Sequence, residues 1–407
     1  MKTLLWIGSY LSDEMTAELR KIGYGNPASI LSQKNILEGI EQTSGKTFDS
    51  VSAIAMAGFP RRKNLYFKQR QFSHAEGAED LLVGYLNIQY LNRLTSRQSL
   101  VKGVKRWLKA NQPSELDVFI YEMRSACLCA AKAIKKQMPQ ARIHLIVPDL
   151  PQFMDLNMSG FKKMLKKFDW QSIQKNMRYV DDYILYSAPM ASYLGIKDKK
   201  WMVMEGSISN REIEAAQGSA AKTTSSDKTI MMYSGSIKAG FGIKRLLDSM
   251  QYLDDRYELW FTGGGDAASL VKEYAERDTR IKYYGFLPTR EDLKALQARA
   301  TVLVNMRLPE EPASRYCFPS KLFEYMLSGK PVLTCRLDGI PEEYYEHLIT
   351  IDEATPEGIA EAVKRVSSMD KDKLVKLGSE GKIFVSLQKN NSAQAKRILE
   401  FVNGNNV

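Results

Sequence analysis

The chain is predicted to be an α/β protein of two domains, each a parallel sheet covered by helices. Two observations lead there. Short apolar runs rich in β-branched and aromatic residues alternate with amphipathic stretches at helical spacing, the pattern of strands joined by crossover helices. The alternation also occurs twice, on either side of Ser207–Lys228, a stretch poor in large apolar residues that ends in GSAAKTTSSDK. At 407 residues the chain is long enough for two or three such cores.

Taken in order, the first half places strands at Thr3–Ile7, Phe48–Ala55, Val118–Tyr121, Ile143–Val147 and Tyr183–Tyr186. The second half places them at Thr229–Tyr233, Tyr257–Thr262, Ile281–Tyr283, Thr301–Val304 and Pro331–Cys335. Ser392–Val402 reads as a helix. The expected division is a first domain over 1–206, a linker over 207–228, a second domain over 229–388 and a terminal segment over 389–407.

Composition narrows the function. A hydrophobic share of 44% with 26% charged residues is that of an ordinary globular protein. No apolar run approaches the roughly 20 residues needed to span a bilayer. The first strand, MKTLLWIG, lacks a long apolar run and a small-residue cleavage site, so a cytoplasmic protein is expected. Cys127, Cys129, Cys317 and Cys335 form no paired C-x-x-C, and with 3 histidines a metal site has little to build on. The formal charge of +11 asks for an anionic partner. No nucleic-acid module is present, so no nucleic-acid partner is expected. Phe59–Phe72 interleaves Arg61, Arg62, Lys63, Lys68 and Arg70 with Phe59, Tyr66, Phe67 and Phe72, and points to an anionic membrane surface or a lipid-linked acceptor. Phe161–Phe168 sets lysines between Phe161, Met164, Leu165 and Phe168 at helical spacing. It reads equally as a core-facing helix with a solvated basic face.

The most informative stretch is FPSKLFEYMLSGKPVL, Phe318–Leu333. Pro319 and Ser320 suit the start of a helix, Leu322, Phe323 and Met326 form an apolar stripe, and Gly329 stands where the helix should stop. Unpaired peptide N–H groups near Ser320 and Lys321, with the charge of Lys321, make an anion site. Glu324 falls one turn further on the same face. A carboxylate beside a bound phosphate is repelled unless it grips neutral hydroxyls, and a nucleotide ribose offers two.

This segment resembles the donor-binding motif of glycosyltransferases with the GT-B fold. Within them it is similar to the retaining, family-4-like group that builds bacterial surface and capsular polysaccharides, in a subgroup with FPSK before the glutamate. The resemblance implies two Rossmann-like domains with parallel sheets facing a central cleft, and a terminal helix crossing back to the first domain. It implies that Glu324 holds the ribose hydroxyls of a nucleotide diphosphate sugar, a UDP-sugar in the favoured case. It also implies front-face attack, in which the leaving phosphate accepts the acceptor's proton. Tyr316 stands where the group has another glutamate that touches the donor sugar, and Ser236 and Phe241 stand where it commonly has Arg and Lys.

The remaining candidates follow strand ends, where parallel sheets bind ligands. Gly235 permits close backbone approach to phosphate, and Ser236 offers a hydroxyl. Gly263 and Gly264 sit in a turn that the resemblance places in the donor cleft. Phe286 and Leu287 lie in the loop where the group reads the base. Arg307 is expected either to reach a phosphate or to pair with Glu310. Lys238, Lys244 and Arg315 are further cations, with Lys321 the leading one. Leu322 supports the helix that presents Lys321 and Glu324. On the acceptor side, Gly25 and Asn26 precede a helix, and Asp149 follows the fourth strand. There the group carries a His-Asp pair and this chain has Pro148–Asp149. Asp149 reads either as a catalytic or hydroxyl-binding carboxylate or as a helix cap.

No convincing ligand cluster is found. Asp370-Lys371-Asp372 has metal-site spacing but precedes a helix-like run and is explained by capping. A metal-free, cofactor-free transfer to a hydroxyl of a lipid-linked or oligosaccharide acceptor is expected, with Lys321 stabilising the leaving diphosphate. Two other readings stand beside it: a nucleotide-binding or degenerate GT-B protein without turnover, and a UDP-sugar epimerase.

Overall fold

A computed structural model describes residues 2–21, 27–153, 160–217 and 227–404. The chain forms two compact units. The first is Met1–Tyr186 with Met190–Ser207 and Asn391–Val407, and the second is Ser187–Pro189 with Ile208–Asn390.

The first unit runs β1 (Lys2–Gly8), α1 (Asp13–Lys21), α2 (Pro27–Ser44), β2 (Phe48–Ser52), β3 (Tyr66–Phe67), β4 (Arg70–Phe72), β5 (Asp80–Leu82) and β6 (Tyr85–Leu86). It continues with α3 (Leu91–Asn111), β7 (Glu115–Tyr121), α4 (Ser125–Gln137), β8 (Arg142–Val147), α5 (Gly160–Asn176), β9 (Asp182–Leu185), α6 (Pro189–Leu194) and β10 (Lys200–Val203). Its main sheet has the order β10-β9-β8-β7-β1-β2-β5-β4, parallel except for the β4–β5 pair. Helices cover both faces, so the central strands carry apolar side chains in both directions. Leu4, Leu5, Trp6 and Ile7 are all buried in succession, as are Val118, Phe119, Ile120 and Tyr121.

The second unit runs α7 (Asn210–Gln217), β11 (Thr229–Ser236), α8 (Ile243–Asp248), β12 (Tyr257–Gly264), α9 (Ala268–Arg277), β13 (Ile281–Tyr283), α10 (Arg290–Arg299), β14 (Val302–Asn305) and α11 (Pro312–Arg315). Then follow α12 (Lys321–Leu327), β15 (Val332–Cys335), β16 (Ile349–Ile351), α13 (Pro356–Ser368) and α14 (Lys371–Gln388). All six strands are parallel, in the order β13-β12-β11-β14-β15-β16. The chain order reverses between β11 and β14, which is the position at which open parallel sheets bind ligands beyond their carboxyl ends. The stretch read as a linker begins with the helix α7, and its residues 218–226 lie outside the described residues.

The last helix, α15 (Asn391–Asn403), belongs to the first unit, where Ile398, Phe401 and Val402 share a core with Ile36, Leu37 and Ile40 of α2. Burying each of these side chains is worth about 1.5–3 kcal/mol. The helices meet closely at Gly39, where an added Cβ would lie 2.6 Å from the Asn391 carbonyl oxygen. Arg142 and Lys200 donate to the carbonyls of Val402 and Phe401, placing cations at the helix C-terminus, where the helix dipole favours them.

Candidate functional site

The carboxyl end of the second sheet is built from glycine. β11 and β12 stay in register to their last residues, pairing Gly235 with Gly263 and Ser236 with Gly264. Gly263 has φ 114°, and a Cβ there would lie 2.0 Å from the Gly235 oxygen, so this approach of the two strands admits no side chain. Hydrogen bonds to the main chain join the loops here. The Gly263 amide donates to the Gly285 oxygen at 2.7 Å, the Thr262 hydroxyl donates to the same oxygen at 2.7 Å, and the Tyr283 hydroxyl donates to the Gly263 oxygen at 2.8 Å. Asp266 accepts from the Ala239 amide at 2.9 Å, which joins the β12 loop to the turn after β11.

α12 delivers the charged groups to this edge. Leu322, Phe323, Tyr325, Met326 and Leu327 are buried and anchor the helix, and Phe318 packs against Phe323 and Tyr344, so the first residue of FPSK is a core residue. The buried Tyr325 hydroxyl accepts from the Ser234 amide at 2.8 Å and donates to the Ser234 oxygen at 3.0 Å, which pins α12 to the last turn of β11. Burial holds that phenol well above its ordinary pKa, so it stays a neutral donor.

Lys321 and Glu324 are thereby placed over the strand end. A Cβ added to Gly235 would lie 3.0 Å from Lys321 Cε and 3.5 Å from Nζ. Lys321 Nζ donates to Glu324 Oε2 at 2.7 Å, and Gln297 of α10 donates to Glu324 Oε1 at 3.2 Å. Both side chains remain partly exposed. The cation and the carboxylate neutralise each other, and each is within reach of the glycine-lined edge.

Several expectations need correcting here. Arg307 does not pair with Glu310. Arg245 takes that carboxylate at 2.5 Å, and the Arg307 guanidinium lies 3.9 Å from the centre of the Phe241 ring. Ser320 does stand at the start of α12, as expected, although its backbone is already helical, with φ −53° and ψ −20°, and its side chain makes no cap bond. α12 is also short, 7 residues, and its first turn spends the Leu322 and Phe323 amides on Pro319 and Ser320 oxygens. The charge at this edge therefore rests on the Lys321 side chain more than on a long helix dipole.

The other candidates fall as follows. Ser236 is exposed at the end of β11, and its carbonyl accepts from the Tyr233 hydroxyl at 2.7 Å. Phe286 is 82% exposed with its ring against Gly264, while Leu287 packs on the core. Lys244 pairs with Asp248 at 2.6 Å and Arg315 with Asp338 at 3.2 Å, away from Gly235. Lys238 lies over the Phe241 ring. Asp370 caps α14, accepting from the Asp372 and Lys373 amides.

In the first unit, Asp149 is exposed beyond β8, close enough to Tyr186 for its charge to raise that phenol's pKa, though burial is the larger cause. Gly25 and Asn26 lie outside the described residues. Sequence reasoning missed a polar cluster at the same sheet edge. Ser32 and Tyr186 are joined at 2.5 Å, Ser29 donates to Glu122 at 2.8 Å, and Glu122 pairs with Arg124 at 2.9 Å. Glu122 has φ 77°, an uncommon conformation for a side chain of its size. Among the described residues no group of three or more His, Cys, Asp or Glu is placed to hold a metal ion.

Comparison with known proteins agrees with this geometry. The family described as Glycosyl transferases group 1 matches residues 228–368. No protein of curated function matches the sequence significantly. The lipopolysaccharide outer core galactosyltransferase WaaB, in its apo form, superposes with a TM-score of 0.66 at 16% identity, covering 99% of both chains. Anabaena HepE, solved in complex with UDP, gives 0.63 at 13% identity, covering 99% of this chain and 100% of its own. Sucrose-phosphate synthase from Thermosynechococcus elongatus gives 0.62 at 15% identity, covering 99% and 98%. At such identities these structures establish the fold, and the matched segment establishes the domain. The chain has the GT-B fold, and residues 228–368 of its second unit match the group 1 glycosyl transferases, which supports a glycosyltransferase.

Proposed function

We propose that the protein moves a sugar from a nucleotide diphosphate sugar, with UDP as the favoured nucleotide, to a hydroxyl of a lipid-linked or oligosaccharide acceptor in surface or capsular polysaccharide synthesis. The observation that carries this reading is the position of Lys321, its ammonium beside Gly235 at the switch point of the second sheet and one turn from Glu324. WaaB is an outer core galactosyltransferase and HepE was solved with UDP, which favours the same donor class here.

In this reading the diphosphate lies over Gly235 and Gly263, where the absence of Cβ atoms lets main-chain groups approach its oxygens. Glu324 releases Lys321 and accepts hydrogen bonds from the ribose hydroxyls, while Lys321 turns to the phosphate. As the bond between the sugar's anomeric carbon and the phosphate oxygen breaks, that oxygen takes the electron pair and gains charge. The cation, once on the phosphate, stabilises this state more than the ground state. The acceptor oxygen forms the new bond on the same face that the phosphate leaves, which gives retention of configuration, and its proton passes to that phosphate. Phe286 offers a flat face to the base. Asp149 orients an acceptor hydroxyl from the first unit. The protein acts in the cytoplasm without a metal.

A panel of nucleotide sugars assayed for hydrolysis and transfer tests the reading. Turnover of one donor class, with release of its nucleotide diphosphate, is expected. Binding of nucleotides with no turnover of any donor would leave a nucleotide-binding protein and overturn it.

A further inference from the structure

The charge of the chain is not spread evenly. Residues 50–75 and 81–114 contain no Asp or Glu. They hold five and six Lys or Arg respectively, which together account for the whole formal excess of +11. The fold joins the two segments. Tyr66 of β3 pairs with Leu86 of β6, Phe59 bridges to Ile88, the Asn92 amide donates to the Met56 oxygen at 3.2 Å, and Arg106 reaches Gln69 at 3.5 Å. Both the start of α3 and a point about 22 Å along it therefore touch the 56–69 stretch.

Large apolar side chains stand outward on the same surface. Phe59, Leu65, Tyr66, Leu86, Leu91 and Leu94 are each 39–54% exposed. With Tyr90 they make up seven of the seventeen exposed large hydrophobic residues described, within a stretch of 36 residues. Leu91 and Leu94 share one face of α3, and Arg61, Arg62, Lys63, Lys68 and Lys105 are exposed on the two joined segments. Carboxylates also reach the two segments from neighbouring positions: Glu18 of α1 holds Arg70, Asp169 of α5 approaches Arg93 at 3.9 Å, Asp49 accepts from Trp107, and Asp80 and Glu41 hold His74.

We propose that this face of the first unit docks on an anionic lipid bilayer. Apolar side chains ringed by cations enter the boundary between headgroups and acyl chains while the cations meet lipid phosphates. Leucines at the centre of the patch separate this partner from a nucleic acid, whose phosphates and bases gain nothing from aliphatic side chains. Among the described residues no helix is long and apolar enough to cross a membrane, so the attachment is peripheral. The inference does not rest on the transfer reaction, and donor hydrolysis without lipid reports on that reaction separately.

Co-sedimentation of the full chain with vesicles tests it, using phosphatidylcholine containing about one third phosphatidylglycerol against phosphatidylcholine alone. The wild type is expected to pellet with the anionic vesicles only. Replacing Arg61, Arg62, Lys63, Lys68 and Lys105 by Gln should weaken binding more than about 100-fold, and Leu65→Ser with Leu91→Ser and Leu94→Ser by about tenfold or more. Donor hydrolysis without lipid should be unchanged in both, which shows that they fold. A wild type that ignores anionic vesicles, binds both vesicles equally, or binds random RNA instead overturns the proposal, as do variants that pellet like the wild type.

Discussion

The two sheets end differently at their carboxyl edges. In the second unit the edge is main chain: Gly235 and Gly263 touch without side chains, and the loops bond through the Gly263 and Gly285 backbone. In the first unit the equivalent edge is filled by side chains. The fully buried Gln33 accepts from the Ser9 amide at 3.0 Å and donates to the Ser9 hydroxyl at 2.9 Å, with Ser29, Ser32, Glu122 and Tyr186 around it. A bare backbone edge with one movable ion pair suits a dense anion, because amides and a lysine can close directly on phosphate. A side-chain edge suits recognition of neutral hydroxyls, whose positions are read by matched donors and acceptors. The same parallel-sheet plan thus carries two kinds of chemistry.

The sharpest way to break this contrast is Lys321→Ala, because no other cation among the candidates stands beside Gly235. Turnover at saturating donor should fall about 10²–10³-fold, the scale of losing one preorganised transition-state group. The melting temperature should move little, since the partly exposed Lys321–Glu324 pair contributes at most a few tenths of a kcal/mol to about 1 kcal/mol.

A buried histidine of the first unit predicts a pH effect on stability in the neutral to alkaline range. His74 lies between Asp80 at 2.6 Å and Glu41 at 3.0 Å. Burial opposes its charge, but the two carboxylates outweigh burial and hold its pKa up at about 9. A raised folded pKa stabilises fully below the unfolded value of about 6.5 and is lost as pH rises through about 9. About 3 kcal/mol of stability should therefore disappear between those limits. Denaturant midpoints measured across this range should fall in the wild type and stay flatter in His74→Gln. Parallel slopes would remove the histidine from the account.

Gly263→Ala probes the bare edge itself. With φ at 114° and the Gly235 oxygen in the way, the methyl group should cost at least about 2 kcal/mol. It should also weaken UDP binding, because the strand ends must part. Retained stability and affinity together would show that the edge tolerates side chains.

Glu324→Gln should have the smallest effect and sharpens the division of labour. Uridine affinity should fall about tenfold through loss of the charged ribose acceptor. Pyrophosphate affinity should hold or rise, because Lys321 loses its internal partner. Equal losses for both ligands would mean that Glu324 does not distinguish ribose from phosphate.

How much of this was legible in the sequence follows from range of contact. Central strands such as β1 and β12 announced themselves because both faces are covered, so LLWI and LWF read as continuous apolar runs. β3, β4, β6 and β16 did not, being 2–3 residues long and defined by their partners. The placing of Lys321 and Glu324 one turn apart was visible as spacing. Their ion pair, the support from Gln297 and the Tyr325 clamp on Ser234 were not, since these depend on residues 27 and 91 positions away. Of the two readings of Arg307, the pairing with Glu310 failed for the same reason: Glu310 had another claimant in Arg245, 65 positions back in the chain. The Asp370 cap was legible because it is local.

A crystal structure of the protein with bound UDP tests the central claim most directly. The account predicts the diphosphate over Gly235 and Gly263, Lys321 Nζ moved from Glu324 to a phosphate oxygen, and the Glu324 carboxylate on the ribose hydroxyls. UDP bound elsewhere, with the 2.7 Å Lys321–Glu324 pair still closed, would contradict it.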